Sequence, residues 1–139
     1  MREIKVYLAG GFHSGWQDLV KARTSNLSFF DPREHKIDAA DLYTAWDLNA
    51  IRESDWVFAY LEKSNPGGYA LALEIGFGKA LEKRILLIDE RSIDSDMEAR
   101  RLAMLHICAD ACFHTLEAGI AFLREETRTM DSLPKDSGS

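Results

Sequence analysis

The stretch that decides the fold runs from Trp56 to Asp89. It opens with Trp56-Val57-Phe58-Ala59-Tyr60-Leu61, a short apolar run carrying aromatic and β-branched side chains, and breaks at Ser64-Asn65-Pro66-Gly67-Gly68. Tyr69 to Glu82 is long enough for a helix, and Arg84-Ile85-Leu86-Leu87-Ile88-Asp89 returns to a strand-like apolar run. Strand, turn-forming loop, helix and strand together make a βαβ unit. Its two strands lie parallel and are buried on both faces, which is why they read as continuous apolar runs rather than alternating ones.

Working outward, the same alternation continues to both ends of the chain. Ile4 to Ala9 reads as a first strand ending in Gly10-Gly11, and Ser14 suits the N-cap of a helix from Trp16 to Arg23. Leu27 to Phe30 is a second strand, cut off by Asp31-Pro32, and a polar loop follows to about Asp38. From Ala39 to Glu53 the apolar residues recur at roughly helical spacing. After the fourth strand come a helix from Met97 to His106, a short strand from Ala111 to His114 and a helix from Leu116 to Arg128. Five strands, each feeding a helix, predict a three-layer αβα domain over residues 1–128, with a five-stranded parallel sheet of flavodoxin-like type. The polar residues 129–139 read as a disordered tail. In such a sheet the ligand sits beyond the carboxyl ends of the strands where their order reverses, which selects the loops after strands one, three and four.

Composition narrows the partners. The chain has 139 residues, 46% hydrophobic and 29% charged, as expected of one globular domain with a substantial core. Its net charge of −6 comes from 17 basic and 23 acidic side chains scattered along the chain. No Lys/Arg cluster is present to neutralise a row of phosphates, so a nucleic-acid polymer is not the expected partner; a small anionic ligand is still allowed, because local dipoles rather than net charge can hold it. No apolar run reaches membrane-spanning length, and the N-terminus is strand-like rather than a signal peptide. Cys108 and Cys112 read as two small buried thiols in a reducing compartment, pointing to the cytoplasm. With His106 and His114 they do not form a recognisable zinc set, so no metal is expected. Gly10-Gly11 is not a dinucleotide fingerprint, and no cofactor is expected either.

Three segments near the selected strand ends could carry chemistry. Gly10-Gly11-Phe12-His13-Ser14 lets backbone approach a ligand closely. Asp47 lies among apolar neighbours, Glu53 reads as a solvated face, and Asp55 heads the third strand, where capping and ligand contact are equally open. Glu74 is the sharpest feature, flanked by Ala70-Leu71-Ala72-Leu73 and Ile75-Gly76. Burying a charge costs several kcal/mol unless it is paired or hydrogen-bonded. A nearby helix amino end returns only about 0.3–1 kcal/mol. Folding alone gives no reason for a carboxylate there; a nucleophile or general base facing a cleft does.

These segments together resemble the nucleoside 2-deoxyribosyltransferase-like superfamily, which includes deoxynucleoside 5′-monophosphate N-glycosidases. Val6-Tyr7-Leu8-Ala9-Gly10-Gly11-Phe12 looks like its first strand and glycine turn, and Ser54-Asp55-Trp56-Val57-Phe58-Ala59 its aspartate-led third strand. Glu74-Ile75-Gly76-Phe77-Gly78-Lys79-Ala80-Leu81-Glu82-Lys83 is similar to its most specific motif, E-x-G-x-x-x-A-x-x-K. The resemblance implies that Glu74 attacks the anomeric carbon of a nucleoside or nucleotide and forms a glycosyl-enzyme intermediate. Tyr7 would orient that carboxylate, and Asp55 would assist. Gly10, Gly11, Phe12, His13, Trp16, Asp47, Asn65, Gly67 and Gly68 would shape the substrate pocket. It also implies a homodimer or higher homo-oligomer. Two departures stand out: Gly68 occupies the position, six residues before the nucleophile, where transferases carry an acid and the hydrolases a serine. His13 and Ser14 stand where the monophosphate enzymes carry Arg. A pocket that binds or senses a nucleotide without turnover is the alternative, and cleavage of a larger nucleotide such as NAD a third reading.

Overall fold

The computed structural model describes residues 3–65 and 67–132. They form five strands: β1 (Ile4–Gly10), β2 (Leu27–Phe30), β3 (Trp56–Leu61), β4 (Arg84–Asp89) and β5 (Ala111–Phe113). Six helices accompany them: α1 (Trp16–Arg23), α2 (Ala40–Glu53), α3 (Tyr69–Ala80), α4 (Asp96–Arg101), α5 (Ala103–Cys108) and α6 (Leu116–Ser132). The strands are parallel throughout and ordered β2-β1-β3-β4-β5. The order reverses between β1 and β3, so the crevice between their carboxyl ends is the place for a ligand.

β3 is buried along its whole length and β4 from Ile85 onward, as central strands covered on both faces should be. The period-two alternation of β1 sorts its side chains between two cores. Val6 and Leu8 pack with Trp16, Val20, Phe58, Ile120 and Leu123 beneath α1 and α6. Tyr7 and Ala9 pack on the other face with Ile51, Val57, Leu71 and Ile75, beneath α2 and α3. That alternation is what aims Tyr7 at α3.

Several expectations are corrected. Gly15, in the left-handed conformation with φ 76°, caps α1 instead of Ser14, and no side chain bonds the free N–H groups. The single helix expected over 97–106 is two, interrupted at Leu102; the first is capped by Ser95, whose hydroxyl accepts from Glu98 N–H. α6 runs to Ser132, past the boundary set for a tail, because nothing in Thr127-Arg128-Thr129-Met130 breaks a helix; residues 133–139 lie outside the described residues. Neither cysteine is buried: Cys112 is exposed, since β5 is an edge strand with only β4 beside it, and Cys108, the last residue of α5, packs only partly against the core. No helix among the described residues is long and apolar enough to cross a membrane.

Gly10 closes β1 at the reversal point, with φ 154°. A Cβ there would stand 2.7 Å from the Tyr60 carbonyl oxygen and 2.8 Å from the Trp16 ring. Backbone on one side and a packed indole on the other leave no room to relax. Gly10→Ala should therefore cost about 2–3 kcal/mol of stability by urea unfolding; a loss below about 0.5 kcal/mol would show that the turn is not held this tightly.

Candidate active site

On α3 the buried residues are Leu71, Glu74, Ile75 and Gly78, the i, i+3, i+4, i+7 stripe of a helix facing a core. Glu74 thus occupies a core position in the second turn and is 8% exposed. Its partner comes from the sheet: the Tyr7 hydroxyl donates to Glu74 Oε2 at 2.5 Å. Burial pushes the Glu74 carboxyl up to about 7, the Tyr7 hydrogen bond pulls against that, and the Asp47 charge adds to the rise. The Tyr7 phenol in turn is held well above its usual range by burial and by the adjacent Glu74.

The pair forms one wall of a cavity of about 350 Å³ at the β1/β3 reversal. From the β1 turn it is lined by Ala9, Gly10, Gly11 and Phe12, and from the β3–α3 connection by Asn65, Gly68, Ala70 and Leu71. The side nearest β2 supplies Pro32, His35 and Ile37, and α2 supplies Tyr43 and Asp47. His35 follows a short 3-10 turn (Pro32–Glu34), which buried Asp31 caps by accepting from Arg33 N–H. Lys21 and the Arg33 side chain also bind Asp31, fastening this turn to α1. The Ile37 N–H donates to His35 Nδ1 at 3.0 Å, so the neutral ring carries its proton on Nε2. Nε2 lies 3.2 Å from Asp47 Oδ1 and donates to it. Asp47 is raised above the usual carboxylate range by burial, against the pull of that hydrogen bond. The His35 ring meets Trp46 edge-on at 4.7 Å, which sets its plane.

The structure therefore brings together Tyr7, Gly10, Gly11, Phe12, Asp47, Asn65, Gly68 and Glu74. His13 and Gly67 line an adjoining recess with Gly11, Ser14, Glu62, Ser64 and Asn65. Two candidates stand elsewhere. Asp55 lies at the amino end of β3, the opposite end from the cavity, where its carboxylate accepts from Lys5 N–H and its own N–H donates to the Lys5 carbonyl. It ties β1 to β3. Trp16 is in the core below the glycine turn, stacked on Phe58, with Nε1 donating to the Gly11 carbonyl oxygen. It supports the turn from beneath and does not line the cavity. His35, Ile37 and Tyr43 join the site without having been singled out: the first two sit in a polar loop, and Tyr43 on a helix whose pattern shows only the face toward the core. Among the described residues no group of three or more His, Cys, Asp or Glu side chains is placed to hold a metal ion.

No protein-family model matches the chain, and no curated protein matches it. Solved structures do. The 2-desoxiribosyltransferase of Leishmania mexicana aligns over 88% of this chain and 97% of its own, at 19% identity and a TM-score of 0.64. The 2-deoxyribosyltransferase of Bacillus psychrosaccharolyticus aligns over 82% and 88%, at 19% identity and a TM-score of 0.64. A CMP N-glycosidase of Clostridium botulinum aligns over 86% and 97%, at 20% identity and a TM-score of 0.51. The chain shares the three-layer α/β fold of these proteins.

The raised Glu74 carboxyl makes stability depend on pH. Between the ordinary glutamate value and about 7 the folded state binds the extra proton, so stability falls as pH rises through this window. Glu74→Gln removes the buried charge. At pH 8 the variant should be more stable than the parent by about 1–3 kcal/mol, with the difference vanishing near pH 4.5. Chemical unfolding at several pH values measures this; a difference that does not change with pH would mean that Glu74 carries no buried charge.

Proposed function

We propose that this protein breaks or exchanges the N-glycosidic bond of a nucleoside or nucleotide, with Glu74 as the nucleophile. The observation that carries the reading is a nearly buried carboxylate, held by a tyrosine hydroxyl, facing a cavity at the reversal point of the sheet. The names of the structurally similar proteins, two deoxyribosyltransferases and a CMP N-glycosidase, support the same bond type.

Tyr7 engages Oε2, leaving Oε1 for the sugar C1′ atom. As the bond from C1′ to the base nitrogen lengthens, its electron pair leaves with the base and positive charge builds on the sugar. The adjacent carboxylate stabilises that oxocarbenium-like state and closes on C1′ as an ester. Water attacking the ester gives hydrolysis; a second base gives transfer. In either case Glu74 is released as a carboxylate. The base would lie toward Pro32, His35, Ile37 and Tyr43, with Asp47 and its bonded His35 as the ionisable pair beside it. No cofactor is needed for this chemistry.

Gly68 favours a second reading, a pocket that binds a nucleotide without turnover. It caps α3 at φ 115°, with Leu61 Cδ1 3.2 Å from where a Cβ would stand, so the position is built for glycine and cannot present a polar side chain. Asn65 is the cavity-lining polar group on the same connection.

Free base followed by chromatography, over deoxy- and ribonucleosides, their 5′-monophosphates and NAD, tests the proposal. Release or exchange is expected from at least one simple nucleoside or nucleotide. Glu74→Ala should lower it by about 10³-fold or more. Well-folded protein that stabilises with a nucleotide but releases no base would select the binding reading instead. A second measurement concerns pH. Since attack needs the ionised carboxylate, kcat/KM should rise with pH through about 7. Tyr7→Phe removes the hydrogen bond that lowers the Glu74 value, so this limb should move to higher pH. An unmoved limb would take Tyr7 out of its role.

A further inference from the structure

The order of the loops along the sheet edge gives the cavity a direction. The β2 side is aromatic and apolar, the β1 turn in the middle is glycine, and the β3 side carries Asn65. With the base on the first side and C1′ at Glu74, the remainder of the sugar points across Gly11 toward Asn65. Beyond Asn65 the space continues into the recess of about 570 Å³ lined by His13, Ser14, Glu62 and Ser64; Gly11 and Asn65 belong to both.

Two polar side chains flank Gly11 at that junction. Asn65 Oδ1 is already taken by Gly67 N–H at 3.0 Å, which turns its amide outward as a donor; Nδ2 lies 2.9 Å from where a Gly11 Cβ would stand. Glu62 Oε1 lies 3.7 Å from the same point. A donor and an anionic acceptor side by side match a hydroxyl, which both accepts and donates. A phosphate monoester offers acceptors only and carries roughly −1.5 to −2 charges near neutral pH.

The surrounding charges sharpen this. Neither cavity is lined by Lys or Arg among the described residues. The nearest cations are committed elsewhere: Lys63 Nζ to Asp94, and Arg91 to Glu98 and to the Asn65 and Gly67 carbonyl oxygens on the back of the loop. Glu90, bound by the Tyr60 hydroxyl and Lys63 N–H, adds negative charge nearby. The start of α1 behind Ser14 favours an anion to a modest degree, and the carboxylate in its first turn, Asp18, is paired with Arg33.

We infer that Glu62 is a specificity-determining residue which, with Asn65, accepts a free 5′-hydroxyl and turns away a 5′-phosphate, so that the substrate is a nucleoside rather than a nucleotide. This rests on the N-glycosidic reading of the same site, and the test separates the two. Calorimetric binding of deoxynucleosides and their 5′-monophosphates to Glu74→Ala reports preference without turnover; base release by the parent reports the chemistry. Nucleosides should bind and react at least roughly tenfold better than their monophosphates. In Glu62→Gln and Glu62→Arg that ratio should shrink or invert, with KM for the monophosphate falling and kcat changing less. Base release that prefers the monophosphate would overturn the inference and leave the glycosidic reading standing. A ratio unmoved by the Glu62 substitutions, or no binding of either ligand, would also overturn it.

Discussion

The Tyr7–Glu74 hydrogen bond is the interaction on which the site depends, because it joins the two layers that build the crevice. Tyr7 is a core residue of β1 and Glu74 a core position of α3, so neither side chain can turn to water without leaving its layer. A carboxylate in that place is unfavourable for folding, and one hydrogen bond does not cancel its desolvation: the carboxyl still lies near neutrality in its ionisation. A group kept there against its solvation preference, at the reversal point of a parallel sheet, is what the proposed chemistry requires and what stability alone would not select.

Around that pair the walls are held by interactions outside the cavity. Asp31, fully buried and bound by Lys21 and Arg33, shapes the turn that presents His35. Trp46 fixes the ring plane, and the Ile37 N–H fixes the tautomer that faces Asp47. On the far side Arg91, anchored by Glu98, grips the carbonyl oxygens of Asn65 and Gly67. Loops of this kind are otherwise the least restrained parts of a domain, and each here is pinned by a charge-assisted contact. The result is a cavity whose two sides are set by different strands.

Most of the architecture was legible in the amino-acid order. Buried parallel strands are short apolar runs bounded by glycine, proline and asparagine, and β1 to β4 fall where such runs lie. Glu74 was legible for a related reason, as a charge set on the apolar stripe of its helix. Asp55 and Trp16 were placed at the site by the family resemblance, with capping left open for Asp55, and the structure stands both away from the cavity in supporting contacts. A strand carries its first residue some 20 Å from its last functional end, roughly 3.3 Å per residue, so adjacency in sequence to a site strand is not adjacency to the site. Trp16 lies on the other side of the sheet for the same kind of reason: the glycine turn sends the chain to the opposite face.

By itself the sequence determined the βαβ alternation, the parallel sheet and the anomalous glutamate, because each is a local matter of periodicity, turn chemistry and solvation. The family resemblance named Tyr7 as the partner of Glu74, and the tertiary structure supplied the contact itself, a hydrogen bond between residues 67 positions apart. Only the tertiary structure brought His35 to Asp47 and stood Glu62 beside Asn65 across Gly11. These are contacts between loops on different strands, and no local pattern encodes them. They exist because the order β2-β1-β3 brings three separate carboxyl ends to one edge of the sheet.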